Sequence, residues 1–100
     1  MSRFELRFGR HAARQWRRLD IDIRKQFARK LDKLLDNPHV PAARMRGYSD
    51  AYRVKLRKAG FRLVYRVFDD RIVVLVVAVG KRDKDRVYED FALNYNEGTE

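Results

Sequence analysis

The sequence predicts an α+β domain in which an N-terminal strand, a helix pair and a C-terminal helix surround a mainly antiparallel sheet of about four strands. Three observations support this prediction. Apolar residues recur at intervals of three and four in the first third of the chain. They alternate or run continuously in its middle, and helical spacing returns near its end. The resulting order, β-α-α-β-β-β-α, is typical of helices packed on one antiparallel sheet.

The first third of the chain predicts a strand followed by two helices. Residues Phe4 to Phe8 alternate between apolar and polar, as in a half-buried strand. From Gly9 to Leu19 the apolar residues fall on one helical face that includes Trp16. Asp20 or Asp22 can cap a second helix, which ends before Pro38 because proline disfavours the α conformation in the residue before it. The apolar stripe of this second helix consists of Ile23, Phe27, Leu31, Leu34 and Leu35.

The rest of the chain predicts three strands and a closing helix. The strands run from about 52 to 57, 61 to 68 and 72 to 79, after a connector with a short strand near Met45. The last strand is apolar at nearly every position, so we expect it at the centre of the sheet with both faces covered. The closing helix has Asp83 as its expected N-cap and turns Val87 and Phe91 inward. We predict one domain over residues 1–95 and a disordered tail over 96–100.

Composition points to a polyanionic partner. The chain has 24 basic and 14 acidic residues among 100, a net charge of +10. Such an excess suits nucleic acid, an acidic protein or an anionic membrane surface. The absence of cysteine excludes disulfides and thiolate metal sites and fits a reducing cytoplasm. The longest apolar run is too short to span a bilayer, and the N-terminus lacks the apolar core of a signal peptide.

The predicted hairpin from Tyr52 to Val67 is crowded with basic residues and contains no acidic one. Burying its two apolar sets together requires Arg57 and Arg62 to share a face, and a two-residue loop at Ala59-Gly60 gives that register. A solvated face would be expected to mix both signs of charge, because like charges across a sheet destabilise it. We therefore predict a face that binds phosphates. It consists of Arg53, Lys55, Arg57, Arg62 and Arg66.

Few residues suit the usual catalytic chemistries. His11 and His39 are the only histidines, and neither is expected to adjoin the hairpin, which disfavours a paired-histidine ribonuclease. The acidic residues suggest no Mg²⁺ site, so no metal and no cofactor are expected. The remaining candidates for catalytic residues are lysines, arginines and tyrosines. Arg82 stands just after the central strand and Tyr88 follows six residues later, where it could also simply pack against the sheet.

The segment MRGYSDAYRVKLRKAGFRLVYRVFDDRIVVLVVAVGKRDKDRVYEDF resembles the RelE toxins of bacterial type II toxin–antitoxin systems, within the RelE/ParE superfamily. The resemblance is strongest in LRKAGFRLVYRV, in VVAVGKR and in the tyrosine that follows, and it covers most of the chain. It implies a ribosome-dependent mRNA endoribonuclease, or mRNA interferase. Such an enzyme cleaves mRNA in the ribosomal A site by metal-independent attack of the 2′-hydroxyl and arrests translation.

The resemblance also implies which residues act. The family's paired basic residues correspond to Arg53 and Lys55, its arginines to Arg62 and Arg82, and its tyrosine to Tyr88. Arg53 stands where the family has lysine, and arginine does not readily lose a proton, so Lys55 is the better candidate base of this pair. Crowded cations should lower the pKa of Lys55. Two assignments stay open. The base is either Lys55 or Tyr88, and the residue that protonates or stabilises the leaving group is either Arg82 or Arg62. Contacts to the RNA backbone are expected from Arg46, Arg57, Arg66 and Lys81.

Partners follow from the same resemblance. A cognate, acidic-leaning RelB-like antitoxin should bind the toxin in a hetero-oligomer, and the 70S ribosome should present A-site mRNA and rRNA. No membrane partner is expected. The main alternative is a non-catalytic ParE-like toxin that inhibits DNA gyrase, a branch that generally lacks the Lys–Arg–Arg–Tyr set. A simple RNA-binding module without cleavage is a third possibility.

Overall fold

The computed structural model describes residues 3–97, in which three helices and four strands follow the predicted order. The helices are α1 (Arg10–Arg18), α2 (Ile21–Leu34) and α3 (Arg86–Leu93), and the strands are β1 (Glu5–Phe8), β2 (Ala51–Leu56), β3 (Phe61–Phe68) and β4 (Val73–Lys81). Two short 3₁₀ turns, Pro41–Ala43 and Asp83–Asp85, precede β2 and α3. Within residues 3–97, none of the helices has the length and apolar character that crossing a membrane requires.

The strands form one sheet in the order β1-β4-β3-β2. Strands β2, β3 and β4 are antiparallel, whereas β1 runs parallel to β4. The predicted α+β class and mainly antiparallel sheet are confirmed. The prediction that β4 is central is also confirmed, since its residues from Val73 to Val79 are buried.

The sheet separates two hydrophobic layers. One layer packs α1 and α2 against the sheet through Phe27, Leu31 and Tyr65. Trp16 joins this layer, with its ring 4.9 Å from that of Phe8 between centroids. The other layer packs α3 on the opposite face through Val87 and Phe91, both facing inward as predicted. Val64 of β3 belongs to this second layer, whereas Tyr65 belongs to the first. Because side chains alternate along a strand, Arg62 and Arg66 lie on the same face of the sheet as Val64 and helix α3.

Three local predictions need correction. Asp83 does not cap α3: it lies in the 3₁₀ turn, and Asp85 occupies the N-cap position with a left-handed φ of 57°. Asp20 does occupy the N-cap position of α2, but its side chain makes no capping hydrogen bond. Near Met45 the expected strand is reduced to an isolated bridge between Arg44 and Tyr52.

The chain beyond α3 returns towards α1. Glu97 accepts a hydrogen bond from the backbone N–H of Arg10, at the start of α1. Its own N–H donates to the carbonyl of Asn94 at 3.0 Å. Asn96 and Glu97, which we predicted as the start of a disordered tail, thus belong to a turn that contacts α1. Residues 98–100 of that predicted tail lie outside the described residues.

Candidate active site

The register of the hairpin places two candidate catalytic cations opposite each other. Lys55 in β2 pairs with Arg62 in β3, and Leu56 pairs with Phe61. The loop between them is four residues long, so the predicted two-residue loop is wrong. The common facing of Lys55 and Arg62 is nevertheless kept, because lengthening a loop by two residues preserves the alternation of side chains. Gly60 takes the expected positive φ, at 73°.

Strand β4 brings Arg82 to the same end of the sheet. Arg62 pairs across β3 and β4 with Gly80, and Phe61 pairs with Lys81. Just beyond, the backbone N–H of Arg82 donates to the carbonyl of Gly60 at 2.8 Å. The end of β4 is thus hydrogen-bonded to the loop between β2 and β3. Lys55, Arg62 and Arg82 therefore lie at the same end of the sheet. We call the region formed by these three residues and by Arg53 and Arg57 the cationic end.

Tyr88 lies in the first turn of α3, beside this end. A Cβ added at Gly80 would meet the Val87 side chain at 3.5 Å, so α3 begins close against the residue that pairs with Arg62. Tyr88 itself is half-buried and packs on the α3 side of the core. The packing role that the sequence left open is therefore present, and the residue remains partly exposed to solvent.

In the part of the chain that the structure describes, the cations of this end have no acidic partners. Within residues 3–97, no salt bridge joins Arg53, Lys55, Arg57 or Arg62 to a carboxylate. Arg62 is only 6% exposed, and Nη1 donates to the carbonyl of its neighbour Phe61 at 2.8 Å. Arg53 lowers the pKa of Lys55 by charge repulsion, and burial, Arg57 and Arg62 lower it further. The predicted direction of that pKa shift is confirmed.

Arg66 belongs to a different environment at the other end of β3. Its Nε and Nη2 donate to Asp50 Oδ2 at 3.0 and 2.7 Å, and its Nη1 donates to the carbonyl of Tyr95 at 2.7 Å. The guanidinium also lies 3.8 Å from the centre of the Tyr95 ring. Because Arg66 is only 7% exposed and already paired, the structure does not place it among the exposed cations of the hairpin, and its contact with RNA stays a prediction.

The other expected RNA contacts divide between the two ends of the sheet. Arg57 and Lys81 are exposed and lie at the cationic end. Arg46 is exposed as well, but it sits in a turn whose preceding residue, Met45, hydrogen-bonds to Ala51 at the start of β2. The structure therefore does not bring Arg46 together with Lys55 and Arg82.

Sequence reasoning missed two side chains that tie the elements together. Gln15 Oε1 accepts from the backbone N–H of Val79 at 2.9 Å, and Nε2 donates to Asp90 Oδ2 at 3.0 Å, which links α1, β4 and α3. His39 does contact the hairpin, contrary to expectation: its Nδ1 lies 3.1 Å from the hydroxyl of Tyr52, and its Nε2 lies 2.7 Å from Asp69 Oδ1. The contacts of Gln15 and of His39 have no local sequence signal, because their partners are distant in the chain.

A metal site would need several ligating side chains in one place. Among residues 3–97, no group of three or more histidine, aspartate or glutamate side chains converges in a way that could hold a metal ion. The groups that the structure brings together at the cationic end are donors and cations. They suit an anionic ligand such as a phosphate.

Comparison with known proteins assigns the chain and its fold to a class of toxins. A family model described as "ParE toxin of type II toxin-antitoxin system, parDE" matches residues 6–86. A putative RelE-like toxin protein of Escherichia coli is 50% identical over 86 residues, which cover 86% of this chain and 90% of that protein. The mRNA interferase toxin RelE of Escherichia coli is 42% identical over 85 residues, which cover 85% and 90%. The chain therefore belongs to the RelE/ParE family of type II toxin–antitoxin toxins.

Solved structures support the same assignment. A double arginine-to-alanine mutant of the E. coli toxin RelE in the free state matches with a TM-score of 0.84 and 40% identity, over 93% of this chain and 97% of that one. RelE in the intact E. coli RelBE toxin–antitoxin complex matches with a TM-score of 0.77 and 41% identity, over 83% of this chain and 100% of that one. The predicted resemblance to RelE toxins is thus confirmed.

Proposed function

We propose that this chain is a ribosome-dependent mRNA endoribonuclease that cleaves mRNA in the A site and thereby arrests translation. One observation supports the proposal above all. Among residues 3–97, the cations at this end of the sheet have no acidic partner, and they occur in a chain whose relatives are named mRNA interferases. Ribosome-bound mRNA is a cytoplasmic substrate, and its scissile phosphate would supply the negative charge that this end of the sheet lacks.

The proposed reaction uses the RNA's own 2′-hydroxyl. Its oxygen forms a bond to the adjacent phosphorus, and the bond from phosphorus to the 5′-oxygen breaks. A 2′,3′-cyclic phosphate and a 5′-hydroxyl result. The proton of the 2′-hydroxyl passes to a base, and the 5′-oxygen must be protonated or stabilised as it leaves.

Lys55, Arg62 and Arg82 have roles in this reaction that match their chemistry. The lowered pKa of Lys55 increases its neutral fraction at a given pH, which supports Lys55 as the base. Arg62 and Arg82 keep their charge and can hold the phosphate oxygens with two donors each. Tyr88 serves as the alternative base or as a stacking platform for a nucleotide base. Arg53, Arg57 and Lys81 contact the RNA backbone near the cut.

The proposal includes two partners. The 70S ribosome orients the A-site mRNA and provides rRNA phosphates for the remaining cations, which offsets the weak acid–base chemistry of lysine, arginine and tyrosine. An antitoxin of the RelB kind neutralises the toxin in a hetero-oligomer. This partner is supported by the intact RelBE complex among the structural matches and by the charge of +10, which favours an acidic-leaning binder.

The experiment is a single-turnover cleavage assay on programmed ribosomes with two mRNA substrates. One substrate is all-ribose, and the other carries a 2′-deoxy nucleotide at the cut position. The proposal expects cleavage of the first with a cyclic phosphate product, no cleavage of the second, and an unchanged rate in EDTA when ribosomes are kept intact. Cleavage of the deoxy substrate, or loss of cleavage in EDTA, would mean that water or a metal ion acts instead.

A parallel assay addresses the ParE alternative, which the description of the matching family model favours. Purified toxin is added to a DNA gyrase supercoiling reaction at the concentrations that cleave mRNA. The proposal expects no inhibition. Gyrase inhibition without mRNA cleavage would assign the chain to the non-catalytic branch.

A further inference from the structure

A groove runs along the edge of the sheet, between the C-terminal half of α2 and strand β2. Its volume is about 500 Å³, and its walls include Lys30 and Lys33 of α2 and Arg53 and Lys55 of β2. An adjoining hollow of about 220 Å³ shares Arg53 and Lys55 with it. The groove therefore opens directly onto the cationic end of the sheet.

The charges along this groove all have one sign. The basic side chains on its walls are Lys30, Lys33, Arg53, Lys55 and Arg57, and none of the described residues that line either hollow is acidic. In the described part of the chain, none of these five residues forms a salt bridge. A single-sign wall without internal counter-ions is complementary to a polyanion.

The floor of the groove is apolar. Leu34, Val40, Ala43 and Val54 line it beneath the charged rims. A flexible chain that carries regularly spaced phosphates and flat, partly apolar bases matches this combination, because phosphates can meet the rims while a base or sugar covers the floor. Double-stranded nucleic acid does not match it, since its bases are stacked inside the duplex.

We propose that the groove between α2 and β2 binds the single-stranded mRNA segment that adjoins the scissile phosphate, with Lys30 and Lys33 contacting its backbone. The inference rests on the proposed function, which places Lys55 at the scissile phosphate. An RNA strand held there must continue away from the cut on either side. The groove starts at Lys55 and leads away from it between cations that form no salt bridge within residues 3–97.

An acidic helix of a partner protein would also meet the charged rims of the groove. The continuity of the groove with Lys55, where the proposed function places the scissile phosphate, favours an RNA strand over a helix.

The experiment measures binding of the full-length toxin to a short single-stranded RNA that carries a 2′-deoxy nucleotide at the cut position and so stays intact. The test variant is Lys30→Gln/Lys33→Gln. The matched control is Lys25→Gln/Arg29→Gln, which removes the same charge from exposed positions of the same helix that do not line the groove. Affinity is measured over a range of salt concentrations.

The test variant should lose affinity on the order of tenfold, and its plot of log affinity against log salt should be shallower by about 1.4, or about 0.7 for each lost phosphate contact. The control should keep nearly the wild-type slope. Equal slopes in the two variants would overturn the proposal. So would a test variant that binds RNA normally but has lost affinity for a purified antitoxin.

The outcome is separable from that of the cleavage assay. A toxin that fails to cleave mRNA while the test variant loses RNA affinity would retain the groove and reject the nuclease assignment. A toxin that cleaves mRNA while the test and control variants bind alike would reject the groove and retain the nuclease assignment.

Discussion

Two arginines on one face of strand β3 differ in the partners that surround their charges. Arg62 and Arg66 point to the same side of the sheet, and both are nearly buried, at 6% and 7% exposure. Arg66 donates to Asp50 through two nitrogens and packs against the Tyr95 ring. Arg62 donates to the backbone carbonyl of Phe61 and faces Lys55 across the strand pair.

The difference in partners indicates how each arginine affects the stability of the fold. A buried charge with a carboxylate and further hydrogen bonds can stabilise a fold, whereas a buried charge beside another cation destabilises it. Arg66 therefore fastens β3 to the segments that carry Asp50 and Tyr95. Within residues 3–97, no carboxylate compensates the charge of Arg62. One end of the face therefore stabilises the fold, and the other end is where the proposed function places the scissile phosphate.

The largest expected effect on stability is at Arg66. The substitution Arg66→Met keeps most of the side-chain volume but leaves Asp50 without its cation. Removing one member of a buried ion pair costs about 3–5 kcal/mol, and we expect about 3 kcal/mol here because Asp50 keeps some solvent contact. Urea unfolding measures the change. A loss under about 1 kcal/mol would show that the pair contributes little to the fold.

The matched substitution Arg62→Met should change stability much less. It removes a charge that has no acidic partner among residues 3–97 and that opposes Lys55, so the free energy of unfolding should stay within about 1 kcal/mol of wild type or rise. The same urea titration provides the comparison. A destabilisation as large as that of Arg66→Met would remove the distinction between the two ends.

A smaller effect concerns the pKa of Lys55. Arg53 is the main cause of its depression below the ordinary value of 10.5, so Arg53→Gln should raise the pKa towards that value. Because the folded pKa is below the unfolded one, this repulsion opposes folding at neutral pH. Stability should rise as Lys55 loses its proton between the folded pKa and 10.5. Titration of the Lys55 side chain by NMR measures the shift, and an unchanged or lower pKa in the variant would contradict it.

Much of the fold was predictable because local pattern and burial agree. The continuous apolar run of β4 identified the central strand, and parity in the hairpin gave the common facing of Lys55 and Arg62. Parity does not determine loop length, however, since loops of two and four residues give the same facing. The parallel pairing of β1 with β4 also has no local signal, because it depends on how the first helices cross the sheet.

The candidate site was predictable where residue type alone identifies the chemistry. A run of arginines and lysines indicates an anion site, but their pairing depends on residues far along the chain. Arg66 is separated by 16 positions from Asp50 and by 29 from Tyr95, so its removal from the exposed face could not be foreseen. The role of Gln15, which bridges β4 and α3, was hidden for the same reason.

The most direct test of the central claim is a double-mutant cycle between Arg62 and Arg82 in single-turnover cleavage on programmed ribosomes. If both arginines act on one phosphate, Arg62→Ala and Arg82→Ala should each lower the rate by about 10²–10³. The double variant should then lose less than the product of the two single effects. Losses that multiply fully, or a single variant that cleaves at nearly the wild-type rate, would contradict the claim that the cationic end acts as one site.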